Sequence, residues 1–365
     1  YLLLLVMANP DTLYIPFFLL STLISLLLLN QNISTAKDDD LIRKTCTQYI
    51  EFLDTCISTL EADPYSRIAI TLLTSPTNPL CLPIELKSNV NVTAALNGSG
   101  HFKTIGAALG SVPSNTQFPY IILVKEGIYR ENIYLRPEKQ NVMILGDGIN
   151  KTSITANRSV KGGFSTQDSA TMDISASQFV AKDMTIINSA GPEGRQAVAL
   201  RAYEFKITFY RCSIEGYQYT LYAAYGQQFF FDCQIYGRSK DKLTAQGREF
   251  KDNNTGIVIH NCTLTSAPEF IPYKATVRTY IGRPWKEFSR TIIMQSFLYD
   301  LIDPVGWLEF NGTFALSTLY YAEYGNFGPG AHTEGRVNWP GYLLLTDCKD
   351  VENFTVKNFI CGLLG

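Results

Sequence analysis

The sequence is poor in the residues that most hydrolases and metalloproteins use for chemistry. It has three histidines among 365 residues, and neither a Cys-x-x-Cys pair nor a Gly-x-Ser-x-Gly motif occurs. A serine-hydrolase elbow and a zinc cluster are therefore excluded, and we expect no metal site and no cofactor. The chain also lacks an excess of positive or negative charge, since its formal net charge is −2. We therefore expect no nucleic-acid partner.

The first 36 residues are not expected to belong to a folded domain. Leu13 to Leu29 is an apolar run broken mainly by Pro16 and by serines and threonines, and small residues follow at 34–36. A run of this length at the N-terminus predicts a secretory signal peptide, with an uncleaved membrane anchor as the alternative, and no stable membrane insertion. The first methionine is Met7, which suggests that residues 1–6 are untranslated or that the sequence is a fragment.

Secretion agrees with the distribution of glycosylation sequons and cysteines. Asn-x-Ser/Thr triplets begin at Asn32, Asn91, Asn97, Asn150, Asn157, Asn253, Asn261, Asn311 and Asn353. The eight cysteines are scattered, and in an oxidising compartment they are expected to be disulfides or buried thiols.

Asp38 to Leu60 has the pattern of an amphipathic helix. Its apolar residues recur every three to four positions, and aspartates at 38–40 stand at its start, where the helix dipole favours them. We expect a helical stub over residues 37–74, which at about 40 residues is near the lower limit for independent folding. The proline-rich stretch 75–88 predicts a linker, and residues 89–365 are expected to form the main domain.

Four runs in this main domain align with one another, at residues 180–186, 208–214, 229–235 and 258–264. Their matched positions Met184, Cys212, Cys233 and Cys262 are separated by 28, 21 and 29 residues. This period predicts an all-β fold, a right-handed parallel β-helix, in which each coil packs on its neighbours. A β-sandwich is the alternative, but it does not explain the aligned columns.

Cys212 and Cys233 are expected to lie one coil apart in such a solenoid. Neighbouring coils are about 4.8 Å apart, which is within reach of a disulfide. A column of small apolar side chains fits the same positions equally well, so both interpretations stay open.

Long motifs follow one another between residues 98 and 360. They include Gly98–Ile105, Gln196–Arg201, Gly216–Tyr222, Thr244–Arg248, Ile281–Lys286 and Phe314–Tyr321. In length and order they resemble the plant pectinesterases, cell-wall enzymes that hydrolyse the methyl esters of pectin. The resemblance implies the parallel β-helix and homogalacturonan as substrate. The stub at 37–74 likewise resembles the opening of the helical inhibitor-like region that many of these proteins carry, here shortened.

The resemblance also assigns roles to five residues. The family's chemistry uses an attacking carboxylate, a second carboxylic acid that protonates departing methanol, and amides that stabilise the oxyanion. Gln218 matches the oxyanion-stabilising amide, and Thr166 and Gln196 match residues that contact the substrate. Arg283 matches the arginine that orients nucleophile and substrate, and Trp285 matches an aromatic that packs on a sugar ring. Side-chain ladders or a packed corner are the structural alternatives.

Two departures from the family's pattern concern its catalytic carboxylates. Tyr219 replaces the acid/base aspartate, and phenols, with a reference pKa near 10, are poor bases at neutral pH. The nucleophile segment is missing between Gly237 and Thr244, a gap of roughly 25 residues or one coil. Its loss is expected to move the arginine and the tryptophan by about one 4.8 Å step relative to the glutamines. Asp232 and Asp241 are the nearest remaining acids, and a solvated structural position is expected for each.

The sequence therefore predicts a secreted cell-wall protein of the pectinesterase type that acts on pectin with impaired or absent ester hydrolysis. One alternative is a non-catalytic pectin-binding wall protein whose groove is lined by Trp285, Tyr219 and Tyr222. Another is the mis-spliced or pseudogene product of an ordinary active enzyme. Pectin is the expected partner, and the family's proteinaceous inhibitors are candidate partners.

Overall fold

The computed structural model describes residues 90–217, 219–237, 242–266 and 279–361. Contacts within the chain define two units, Tyr1–Pro64 and Tyr65–Gly365, and every described residue belongs to the second. The expected signal peptide, helical stub and linker lie outside the described residues and stay predictions.

Short strands rich in β-branched and aromatic residues make up most of the described chain. They are β1 (Val92–Ala94), β2 (Tyr120–Val124), β3 (Gly127–Arg130), β4 (Ile133–Leu135), β5 (Val142–Gly146), β6 (Thr152–Ala156), β7 (Met172–Ile174), β8 (Phe179–Asn188), β9 (Leu200–Tyr203), β10 (Ile207–Gly216), β11 (Leu221–Tyr225), β12 (Gln227–Phe231), β13 (Gln234–Gly237), β14 (Lys242–Gln246), β15 (Gly256–His260), β16 (Thr263–Ser266), β17 (Tyr280–Pro284), β18 (Arg290–Met294), β19 (Phe297–Leu298), β20 (Tyr320–Tyr324) and β21 (Tyr342–Leu345). Short helical segments are α1 (Ile105–Gly110), α2 (Cys348–Val351), 3₁₀ turns at Pro192–Gly194 and Glu352–Phe354, and a π-helical turn at Lys357–Cys361.

The ladders between these strands are all parallel, and they build three faces. The back face runs β1-β2-β5-β8-β10-β12-β15-β18-β20-β21, the second face β3-β6-β8-β10-β13-β16-β19, and the third begins β4-β7-β9-β11. The long strands β8 and β10 belong to two faces, since β8 pairs β5 through its first half and β6 through its second. The predicted right-handed parallel β-helix is confirmed.

The predicted alignment of the four runs is confirmed by the register of these strands. Thr208 pairs with Val180 on one side and Phe229 on the other, and Phe229 pairs with Val258. Cys212, Cys233 and Cys262 are buried and free. The structure thus has the apolar column, and it lacks the disulfide between the first two cysteines.

Residues with a left-handed backbone conformation form a column at the corner between the back face and the second face. Asp183, Arg211, Asp232, Asn261 and Gln295 have φ between 49° and 57°. Asparagine and aspartate enter this region more readily than most residues, and Arg211 is held by a double hydrogen bond to Asp183, at 2.6 and 2.7 Å. Asp232 is exposed in this corner, where the sequence predicts a solvated acid. Asp241 lies outside the described residues.

Apolar side chains fill both the interior and the outer side of the back face. Inside, the rings of Phe179, Phe209 and Phe230 follow one another with centroids 5.8 and 5.3 Å apart. Outside, the C-terminal segment covers the back face with Phe354 and Phe359 among its buried residues. Each fully buried phenylalanine stabilises the fold by about 1.5–3 kcal/mol. Among the helices of the described residues, none has the length and hydropathy needed to cross a bilayer.

Candidate active site

The third face carries those residues assigned to the site by the sequence that the structure describes. β14 pairs with β17, and the Gly247 N–H beyond β14 donates to the Ala224 carbonyl of β11 at 2.9 Å. The strands β4, β7, β9, β11, β14 and β17 therefore follow one another, and we call them the cleft face. A single strand, β14, separates β11 from β17.

Three predicted site residues precede neighbouring strands of this face. Thr166 precedes β7, Gln196 precedes β9 and Tyr219 precedes β11, and these strands pair in parallel register. The three residues thus lie toward the same edge of the sheet, on consecutive coils. Thr166 and Gln196 are half-buried. Gln218 lies outside the described residues, so its role as the oxyanion-stabilising amide stays a prediction.

Arg283 and Tyr219 meet in the cleft face. The arginine Nη2 donates to the phenolic oxygen of Tyr219 at 3.3 Å, and the arginine Cζ lies 5.0 Å from the ring centroid of Phe310. Tyr219 has a left-handed backbone with φ of 60°, and it packs against the apolar cluster around Tyr222. Within the described residues, no carboxylate forms an ion pair with this arginine. A phenol thus faces the guanidinium at the position where the resemblance places the acid/base aspartate.

Trp285 and Tyr222 form an aromatic pair beside this contact. Their ring centroids are 6.1 Å apart in an edge arrangement, and 36% of Trp285 is exposed. Gly247 makes the approach possible, because a Cβ there would lie 2.7 Å from the tryptophan ring. Burial raises the pKa of the Tyr222 phenol, and a hydrogen bond with Gln167 opposes that effect.

A cavity of about 650 Å³ lies on the same face, along β4, β7 and β9. Its polar lining includes Arg158, Gln167, Asp168, Asp173, Arg201 and Tyr203. Nη1 of Arg201 donates to both oxygens of Asp173, at 2.7 and 3.0 Å, and to the Ser175 hydroxyl at 3.1 Å. Burial raises the pKa of Asp173, against the lowering effect of Arg201.

Sequence reasoning missed this ion pair. The available signal was the alternation along β7, where Asp173 stands between two buried apolar residues, which places its side chain on the outer side of the sheet. The structure brings Tyr219, Tyr222, Arg283 and Trp285 together. In the described ranges no group of three or more histidine, cysteine, aspartate or glutamate side chains is placed to hold a metal ion.

Comparison with known proteins agrees with this architecture. The family model described as Pectinesterase matches residues 91–240 and 238–363. "Pectinesterase 2" of Citrus sinensis is 44% identical over 303 residues, which cover 76% of this chain and 59% of that protein. "Probable pectinesterase/pectinesterase inhibitor 41" of Arabidopsis thaliana is 44% identical over 299 residues, covering 74% and 52%. The chain therefore spans between half and three fifths of the length of these curated relatives.

Solved structures share the fold. Pectin methylesterase from carrot has a TM-score of 0.67 and 41% identity, covering 75% of this chain and 93% of that one. The Aspergillus niger pectin methylesterase has a TM-score of 0.61 and 26% identity, covering 74% and 93%. The family model matches well over half of the chain, and its two matched segments overlap at residues 238–240. The chain belongs to the pectinesterase family.

Proposed function

We propose that this chain engages cell-wall pectin along its cleft face and hydrolyses the methyl esters only weakly or not at all. The observation that carries the proposal is the contact between Arg283 and the phenol of Tyr219, at 3.3 Å. By resemblance, a carboxylate should stand at this tyrosine position. Secretion to the wall and recognition by proteinaceous pectinesterase inhibitors are further parts of the proposal that follow from family membership.

The chemistry requires two carboxyl groups for defined steps. One carboxylate must attack the ester carbonyl, and the other group must give a proton to the departing methoxide and later take one from water. A phenol can donate a proton, but it is a poor base at neutral pH, and it does not replace the attacking carboxylate. The retained amide and guanidinium groups can stabilise an oxyanion, but they cannot form it.

Other acids on the cleft face have partners of their own. Asp168 accepts a hydrogen bond from Ser165 at 2.6 Å, and Asp173 is held by Arg201. Glu204 accepts from Ser177 at 2.9 Å. The double contact of Asp173 with a guanidinium makes it a weak nucleophile.

The family model matches this chain in two segments, and this supports the loss of a coil between them. The two matched segments meet at residues 238–240, inside the stretch from Gly237 to Thr244 where the sequence lacks the nucleophile segment. A whole coil can be lost without unfolding a β-helix, because its neighbours can stack on each other. The pairing of β14 with β17 and its link to β11 are what such restacking would produce.

Methanol release from highly methyl-esterified pectin tests the proposal directly. We expect turnover at least roughly 10⁴-fold below that of the Citrus sinensis relative, the scale seen when a nucleophile is removed. Turnover within tenfold of that reference would contradict the proposal. The Asp173→Asn variant is measured in parallel. If the wild-type protein releases methanol at a measurable rate and this variant does not, Asp173 would be the catalytic carboxylate.

A non-catalytic pectin-binding protein is the second candidate, favoured by the exposed ring of Trp285 beside Tyr222. Aromatic faces of this kind suit the apolar faces of sugar rings. Sedimentation with pectin should show binding, and Trp285→Ala should weaken it. Sequencing the transcript across codons 237–244 addresses the remaining alternative, since an exon that encodes the missing aspartate would identify a mis-spliced enzyme.

A further inference from the structure

Arg283 is a cation with few acceptors around it. Its guanidinium can donate five hydrogen bonds, and within the described residues it makes the one to Tyr219. Its Nε is buried and has no hydrogen-bond partner in that part of the chain. The face of the group packs against the Phe310 ring, at 5.0 Å from the centroid. Since an unsatisfied buried donor is unfavourable, an added acceptor here would be stabilising.

Three other arginines of the described chain form ion pairs with carboxylates. Arg201 binds Asp173 at 2.7 Å, Arg211 binds Asp183 at 2.6 Å, and Arg336 binds Glu323 at 2.8 Å. Arg201 lies on the cleft face as well, but its charge is already compensated. Arg158 also lines this face and packs on the ring of Phe164, with its Cζ 4.9 Å from the centroid. Among the described residues, Arg283 is the guanidinium without a carboxylate partner that lies next to Tyr219 and two residues before Trp285.

The surroundings of Arg283 define which anion fits. Trp285 follows two residues later and offers a partly exposed indole beside Tyr222. The Lys286 ammonium lies 5.6 Å from the indole centroid and 3.5 Å from a carboxylate oxygen of Glu249. A uronate ring presents an apolar face for the indole and a planar carboxylate for the guanidinium fork. A methyl-esterified ring offers the same face without the charge.

We propose that Arg283 and Tyr219 form a receptor for the free carboxylate of a galacturonate residue, so that the cleft face prefers de-esterified pectin to methyl-esterified pectin. The inference rests on the proposed function, because it assumes that pectin lies along this face. It reverses the preference expected of an esterase, whose substrate is the ester. The guanidinium would hold the carboxylate, and the phenol would fix the guanidinium.

Calorimetric titration with two oligosaccharides of equal length tests the proposal, one an oligogalacturonate and the other fully methyl-esterified. We expect the wild-type protein to bind the oligogalacturonate at least tenfold more tightly, with affinity falling as salt rises. Arg283→Gln should lower this affinity roughly 10- to 100-fold, the range for a hydrogen bond to a charged group, and leave the ester nearly unchanged. Arg283→Lys keeps the charge without the planar fork, and we expect it to be intermediate.

Lys125→Gln is the matched control, since it removes one exposed positive charge just after β2. We expect it to change neither affinity by more than twofold, and thermal melting verifies that each variant is folded. Equal affinity of the wild type for both oligosaccharides, or an unchanged preference in both arginine variants, would overturn the receptor while leaving pectin binding intact. Binding of neither oligosaccharide would overturn the proposed function together with this inference.

Discussion

At the scale of single residues, His260 makes the stability of this fold depend on pH. It ends β15, its ring lies 5.0 Å from that of Phe231 and 6.2 Å from that of Phe229, and its Nε2 lies 2.8 Å from the Gln295 Oε1. Burial lowers its pKa to about 4, against the opposing effect of Gln295. The folded protein therefore holds this imidazole neutral over a range in which the unfolded chain protonates it.

The expected consequence is a loss of stability as the pH falls. An unfolded histidine takes up its proton near pH 6.5, so between about 6.5 and 4 the unfolded state binds more protons, and the free energy of unfolding decreases. We expect this residue to account for about 2 kcal/mol between pH 7 and pH 4.5, less than the full shift because the side chain is only half-buried. Urea unfolding at both pH values, compared with His260→Gln, measures the difference. Parallel pH profiles for the two proteins would show that the imidazole is not responsible.

The site could be predicted from the sequence only in part. Motif matches pointed to Tyr219, Arg283 and Trp285, and the groove hypothesis grouped the two aromatic residues with Tyr222. The hydrogen bond between arginine and phenol was not foreseeable, because its partners are 64 residues apart and meet only through the stacking of β11, β14 and β17. The pair of Asp173 with Arg201 was missed because its partners are far apart in sequence and each alone resembles an ordinary outward-facing strand residue.

At the scale of elements, the cysteines form a column that joins three coils. Cys212 lies in β10, and Cys233 and Cys262 occupy the matched positions just before β13 and β16. The thiol of Cys262 accepts a hydrogen bond from the backbone N–H of Cys233 at 3.3 Å. Burial raises the pKa of the Cys212 and Cys262 thiols, whereas, against the effect of its burial, hydrogen bonds with these two neighbours lower the pKa of the Cys233 thiol. All three side chains are buried, which keeps reagents in solvent from reaching the sulfurs. The period of the column was readable from the sequence, whereas the choice between thiols and a disulfide required the structure.

Alkylation followed by peptide mapping checks this column. We expect all three thiols to resist iodoacetamide in the folded protein and to react fully after unfolding without reductant. Cys348 is partly exposed and serves as the internal control, since it should react in the folded state. Recovery of a peptide linked through Cys212 and Cys233 would contradict the free-thiol column.

Local sequence patterns did not predict the C-terminal segment at 348–361, which covers the back face and is here called the C-terminal cover. Gln227 donates from its Nε2 to the carbonyl of Phe359 at 2.6 Å, and the Arg290 Cζ lies 5.5 Å from the ring of Phe359. These contacts join residues far apart in sequence, and the short irregular helices involved have no repeat to reveal them. A solenoid that buries one side of its back face needs such a cover, but its position follows from tertiary packing.

At the scale of the whole molecule, the nearest-neighbour character of a solenoid makes catalysis and folding separable. Each coil of the β-helix contacts the coils on either side, so that removing one leaves the remaining contacts in place. Catalysis has no such tolerance, because its groups come from different coils and must meet within a fraction of an ångström. Under the proposed function, the loss of one coil would therefore preserve the fold and abolish the chemistry.

Restoring both carboxylates should separate these two effects. We expect a chimera that carries Tyr219→Asp and the missing coil of the Citrus sinensis relative, inserted after Gly237, to release methanol at least roughly 10³-fold faster than either change alone. Each single change leaves the site without one of its two carboxyl groups, so neither should help by itself. The chimera should also fold, because whole coils add to a β-helix in register. Substantial hydrolysis by Tyr219→Asp alone would mean that an acid already in this chain serves as the nucleophile, and the loss of the coil would then not explain a weak enzyme.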